Sequence, residues 1–345
     1  IDEAAHGPGL KIMLDGVFNH VAQGFSKYRQ ALESGPGSDA AQWFHLDFSG
    51  ERPTHRSFEG HEHLVTLNHG NADVQQYVAD VMSHWLGRGA DGWRLDAAYA
   101  VPTEFWASVI PRVRQKHPEA YFLGEVIHGD YAQFVQHSTV DSVTQYELWK
   151  ATWSAISETN FFELSHALGR HNDWLETFVP ATFVGNHDVN RIASTIADER
   201  HHAHALVVLF TTGGTPMIYY GDEQGFRGVK EERVGGDDDV RPEFPMTKEE
   251  LAPEGWPMYR LHQELIGLRR RNPWLHYART ETLELTNTAL VYRAYAGDDH
   301  VHVVLDLGDD PIDYSLGGDV LAGQATVEGG RVTVPPHGWA VFGRK

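Results

Sequence analysis

Gly92-Trp-Arg-Leu-Asp96 governs how the rest of the chain reads. It is a short apolar run that ends on a carboxylate, with an arginine two residues before it. Side chains alternate across a strand, so Arg94 and Asp96 share a face. Three more segments have the same form: Asp15-Gly-Val-Phe-Asn-His20 upstream, and Leu123-Gly-Glu125-Val and Gly185-Asn-His187-Asp188 downstream. Three separated carboxylates, an arginine and two histidines at strand ends are what acid–base chemistry on a sugar requires.

Working outward, apolar strand patterns alternate with helical ones, which points to βα units and a parallel sheet. The expected strands are 11–18, 92–98, 121–127, 142–148, 182–186 and 216–220. Val74, Tyr77, Val78, Val81, Met82 and Trp85 fall on one helical face. Further helices are expected at 105–113, 151–156, 204–210 and 256–271, the last stopped by Asn272-Pro273. From about residue 280 the pattern changes to alternating and β-branched runs with Gly-Asp turns, read as a small antiparallel β domain. The expected division is therefore 1–278 and 279–345. Two long irregular stretches, 21–67 and 225–254, break the rhythm, and loops of that length are usually functional or mobile. Trp43 and Phe44, in the first, are candidates either for stacking on sugar or for local packing. The acidic run Asp237-Asp238-Asp239, in the second, reads as a solvated loop.

Composition sets outer limits. A formal net charge of −20 over 345 residues argues against a nucleic-acid partner, whose phosphates would be repelled. With no cysteine, disulfides and thiol chemistry are excluded, which fits a reducing cytoplasm. No apolar run approaches the roughly 20 residues of a membrane span. No signal peptide is visible, and the chain opens with Ile1.

Each candidate has its own chemical logic. Arg94 would hold Asp96 ionised and oriented, as a nucleophile requires. Glu125 is flanked by apolar residues, and desolvation there would keep it protonated for service as a general acid. Asp188 would stabilise positive charge in the transition state. His20 and His187 are natural partners for sugar hydroxyls. The other histidines, among them His201, His202 and His204, read as satisfied surface or core residues.

Taken together and in order, the four segments resemble the four ordered motifs of the alpha-amylase superfamily of glycoside hydrolases. The resemblance runs from Leu10 to about Gly225, where Tyr220-Gly-Asp222 is similar to the family's eighth-strand segment. It implies a TIM barrel with an excursion at about 21–67 after the third strand, and a C-terminal β domain of the antiparallel sandwich type. It implies retaining double displacement on α-glucosidic bonds, with Asp96 as nucleophile, Glu125 as acid/base and Asp188 as stabiliser. Arg94, His20 and His187 match its substrate-binding helpers, and Asp15 and Tyr99 join them as substrate-facing candidates. Val65-Thr-Leu-Asn68 matches in part the stretch that closes the family's excursion.

Two departures bear on function. Starch-cutting members often carry Lys and His three and four residues after the nucleophile, where this chain has Tyr99 and Ala100. The Lys lines the cleft and the His helps hold calcium. Asn19 still matches a calcium-ligand position, but one amide is a poor site for a cation wanting several oxygens. The chemistry itself needs no cofactor. Secondly, only six barrel strands are legible where closure takes eight. The expectation is a barrel lacking its first two βα units, unstable alone because edges and apolar faces would be exposed. The expected function is hydrolysis of maltooligosaccharides, cyclodextrins or related α-glucans in the cytoplasm. Alternatives are a transglycosylase or isomerase acting on sucrose, trehalose or maltose, and a catalytically inactive binding or chaperone subunit. The sequence sets no oligomeric state.

Overall fold

The computed structural model describes residues 2–315 and 318–343. The chain forms two compact units, Ile1–Thr144 and Gln145–Lys345.

In the first unit, four parallel strands lie in the order Met13–Gly16, Gly92–Leu95, Tyr121–Gly124 and Ser142–Val143. Helices Ala72–Leu86, Thr103–Arg114 and Tyr131–Ser138 connect them. The first of these helices starts where Asn71 accepts bonds from the amides of Asp73 and Val74, which satisfies two otherwise orphaned donors. Gly92 is required at its strand start, because a Cβ there would come within 2.4 Å of the Tyr121 carbonyl oxygen. The excursion carries an antiparallel sheet in the order His20–Ala22, His61–Thr66, Ser57–Phe58. Trp43 and Phe44 are buried in it, Trp43 against Tyr77 and Phe44 against Tyr28, each at a ring separation of 5.3 Å. Of the two roles open to this pair, the structure gives local packing.

The second unit pairs strands Ala181–Phe183 and Thr215–Met217 in parallel. Its helices include Tyr146–Ser157, Phe161–Trp174, His202–Thr211 and Trp256–Arg271. The strand expected at 142–148 stops at Val143. Gln145 then caps a helix by accepting the Leu148 amide, so Tyr146–Leu148 are helical. A short apolar run is equally compatible with a strand and a buried helix, and the cap decides the matter here.

The tail forms two antiparallel sheets. One has five strands in the order Arg279–Leu285, Ala289–Ala296, Asp299–Asp306, Trp339–Gly343, Asp319–Gly323. The other has three, Ile312–Tyr314, Arg331–Val334 and Thr326–Glu328. Val291, Val304, Val332, Val334, Ala340 and Phe342 fill the space between the sheets. Leu290, Tyr292, Ala294, Val303 and Leu305 point the other way, into a core shared with Leu206, Phe210, Leu265 and Leu268 of the helices. That core is closed by a bond of 2.5 Å between the buried hydroxyls of Tyr292 and Thr211.

Candidate active site

In the first unit the site is organised by one guanidinium. Parallel register places Arg94 opposite Asp15. Arg94 Nη1 donates to Asp15 Oδ1 at 2.8 Å and to Asp96 Oδ1 at 2.7 Å, and Nη2 meets Glu125 Oε1 at 2.7 Å. The Arg94 side chain is 16% exposed and that of Glu125 8%. Burial works against the charge on Arg94, but the carboxylates of Glu125, Asp15 and Asp96 outweigh it and hold the group above its ordinary value. Arg94 is thus a permanent cation binding three carboxylates that would otherwise repel one another.

The backbone continues this arrangement. The Asp96 amide donates to the Gly16 carbonyl and the Glu125 amide to the Leu95 carbonyl, each extending its strand by one bond. The next residue, Ala97, adopts left-handed angles (φ 43°, ψ 39°), which is uncommon for a residue with a Cβ. That turn aims the Ala97 amide at Glu125 Oε2, 2.8 Å away. Sequence reasoning expected burial to keep Glu125 protonated. Glu125 is buried, and its oxygens meet a cation and an N–H donor.

His20 stacks on Phe58 of the excursion at 4.7 Å and an interplanar angle of 15°. Its Nδ1 accepts from Asn19 Nδ2 at 3.2 Å, which leaves Nε2 to carry the proton. Burial lowers its pKa, against the pull of Asp96. Tyr99 donates to Glu59 Oε1 at 2.7 Å, and burial together with Glu59 raises its pKa. Phe58 and Glu59 were not anticipated, because nothing in the local pattern of the excursion tells which of its side chains turn toward strand ends.

Asn19 is buried, and its amide nitrogen is committed to His20. The cavity beside it, about 250 Å³, is also lined by Arg56, Glu59, Thr66 and Tyr99. A hard cation takes six to eight oxygens. This lining offers one carboxylate, already bound by Tyr99, and a guanidinium beside it.

In the second unit, Asp188 follows strand Ala181–Phe183. Asn186 shapes the turn by accepting the Asp188 amide at 2.9 Å and donating to Tyr146 Oη at 2.9 Å. His187 Nε2 lies 3.1 Å from Asp188 Oδ2. Arg241, from the long irregular loop, donates to Asp188 Oδ1 at 2.7 Å and to the His187 carbonyl at 2.9 Å. It also pairs with Asp237 at 3.0 Å, so part of the acidic run serves to hold an arginine. Beneath this turn, Arg191 and Asp222 form a fully buried pair at 2.9 Å, with the Tyr219 ring 4.0 Å from the guanidinium. Burial pushes Asp222 up to about 6, against the pull of Arg191. Gly185 is required here, since a Cβ would sit 2.9 Å from Asp222 Oδ2.

Comparison with known proteins assigns this arrangement to a lineage. The family described as "Alpha amylase, catalytic domain" matches residues 1–289. A cyclomaltodextrinase of Geobacillus thermopakistaniensis is 27% identical, over 98% of this chain and 60% of its own length. Neopullulanase 2 of Thermoactinomyces vulgaris is 31% identical, over 89% of this chain and 53% of its own. The chain thus spans between 53% and 60% of the length of these two relatives. The crystal structure of a debranching enzyme from Nostoc punctiforme superposes with a TM-score of 0.83 at 26% identity, covering 99% of this chain and 77% of that one.

Proposed function

The chain belongs to the alpha-amylase family, and on that premise we propose that it is the catalytic part of a retaining glycoside hydrolase acting on maltooligosaccharides, cyclodextrins or related α-glucans. The observation that carries this reading is the largely buried guanidinium of Arg94, which holds the carboxylates of Asp96 and Glu125 at the ends of adjacent parallel strands. Asp96, oriented by Arg94, attacks the anomeric carbon and forms a glycosyl ester. Glu125 gives its proton to the leaving oxygen, then takes one from the water that cleaves the ester. Asp188 stabilises the oxocarbenium-like charge, and His20, His187, Asp15 and Tyr99 bind hydroxyls. No cofactor enters these steps.

The same reading covers the fold and setting. Strand Met13–Gly16 has one neighbour in its sheet, and Leu10, Met13 and Val17 are exposed beside it. Among the described residues no helix is long and apolar enough to cross a membrane. The absence of cysteine supports a reducing compartment, the cytoplasm.

Product analysis by NMR tests the reaction. Incubation of full-length protein with γ-cyclodextrin or maltotetraose should release reducing sugars that appear first as the α-anomer. First-formed β-anomer, or no turnover of any α-glucan, would reject the retaining mechanism.

A further inference from the structure

Within the second unit, a second polar cluster lies where the N-terminal end of helix His202–Thr211 meets the β sandwich. Asp198, His201 and His337 each direct one ligand atom into a space where these atoms lie within 4.8 Å of one another. His201 Nε2 and His337 Nδ1 are 3.0 Å apart. On a tetrahedral zinc ion with Zn–N near 2.0–2.1 Å, two imidazole nitrogens sit about 3.3 Å apart. The two rings therefore need to separate by only a few tenths of an ångström to receive one.

The surroundings are those of a prepared ligand. His337 Nε2 lies 2.9 Å from Asp309 Oδ1, the carboxylate–histidine pairing that fixes the tautomer of a metal-bound ring and leaves Nδ1 as the lone pair. The backbone of His337 is left-handed (φ 56°), a region uncommon for residues with a Cβ, in which Asn, Asp and His are enriched. It is held there by bonds on both sides: its own amide to the Gly308 carbonyl at 3.1 Å, and the Gly338 carbonyl to His204 Nε2 at 3.1 Å. His201 is buried, so one ligand is fixed in the core and another in the turn between strands Arg331–Val334 and Trp339–Gly343. Asp198 is oriented by Arg200, whose backbone amide and guanidinium occupy part of both carboxylate oxygens. Arg200 Nε also reaches Oδ2 at 3.1 Å, so all of the roughly four acceptor sites of the carboxylate are engaged, and ligation requires Asp198 to release one of its bonds to Arg200. The nearby guanidinium makes this a weaker site than one with three uncommitted ligands. Arg200 and His337 also line a cavity of about 340 Å³, together with Glu264, Gln324 and Trp339, which leaves room for water at a fourth position.

We infer that Asp198, His201 and His337 bind one divalent transition-metal ion of the zinc class, which ties the helical layer to the β sandwich. The bland alternative is a plain His–His hydrogen bond, and the two differ in metal stoichiometry.

The test uses full-length protein stripped with EDTA, desalted and dialysed against ZnCl2, with bound metal counted by atomic emission. Because the chain has 22 histidines, the reading is the difference between variants. Wild type should retain one more equivalent than His337→Asn, a substitution compatible with the left-handed backbone, and than Asp198→Ala, made at a turn. Asp309→Asn should keep the equivalent but weaken it by about 10–100-fold. Cobalt should give the intense visible band of a four-coordinate ion in wild type and not in His337→Asn or Asp198→Ala. Equal zinc content in wild type and either ligand variant would overturn the assignment.

Discussion

The two units present their carboxylates in opposite ways. In the first, Asp96 and Glu125 are clamped by one arginine that is largely buried and sits on a parallel strand. In the second, Asp188 is held by Arg241, which is 41% exposed and comes from a long loop without regular strands. Buried and strand-borne positions preorganise groups that must form and break bonds. An exposed pairing is cheap to open, as suits a group that only has to meet charge when it develops. The difference teaches that carboxylates of one proposed reaction need not share one standard of rigidity.

The comparison can be broken by mutation, and the largest effect belongs to the clamped side. Asp96→Asn should reduce turnover of an activated aryl α-glucoside by several orders of magnitude. Turnover within tenfold of wild type would remove Asp96 from the nucleophile role. Glu125→Gln should cost about 10²–10⁴ on maltooligosaccharides, and far less on substrates whose leaving group needs no proton. Equal losses on both classes would contradict the acid role.

Stability sharpens the same contrast. Arg94→Leu strands buried Glu125 without its cation, and the loss should approach about 3–5 kcal/mol in urea unfolding. Acidification should cost a comparable amount, and its direction follows from two buried rings. His171 and His204 are pushed down to about 4 by burial, with carbonyl bonds opposing. Unfolded histidine titrates near about 6.5, so the unfolded chain takes up protons first. Their contribution is complete above about pH 6.5 and drains as pH falls toward 4, by up to about 3 kcal/mol per ring. A urea midpoint at pH 4.5 equal to that at pH 7 would refute this. Smallest of all, Arg241→Ala should change stability by no more than about 1 kcal/mol, because an exposed pair is screened. A loss matching that of Arg94→Leu would dissolve the distinction between the two sides.

Much of this was readable in the chain, and the boundary of legibility has physical causes. Alternation alone placed Arg94 and Asp96 on one face, and the structure joins them at 2.7 Å. The β-branched tail runs announced their sheets for the same reason, since period two is local. The partner of Asp188 was not legible: Arg241 lies 53 residues away, across a loop with no period to project along. The ionic surroundings of Glu125 were missed because they come from a neighbouring strand and from one left-handed turn at Ala97. Trp43 and Phe44 stayed open between packing and display because burial is set by distant segments such as Tyr77.

Strand Ala289–Ala296 has a consequence for how such a protein can change over time. Its odd-numbered Val291 serves one interior and its even-numbered Leu290, Tyr292 and Ala294 another. Inserting a single amino acid upstream of these positions in the strand would exchange the two sets at a stroke. The tail is therefore no removable appendage. A chain cut before Arg279 would strip an apolar wall from the helices Leu206 and Leu265 belong to, so shuffling this segment between relatives demands that parity be preserved.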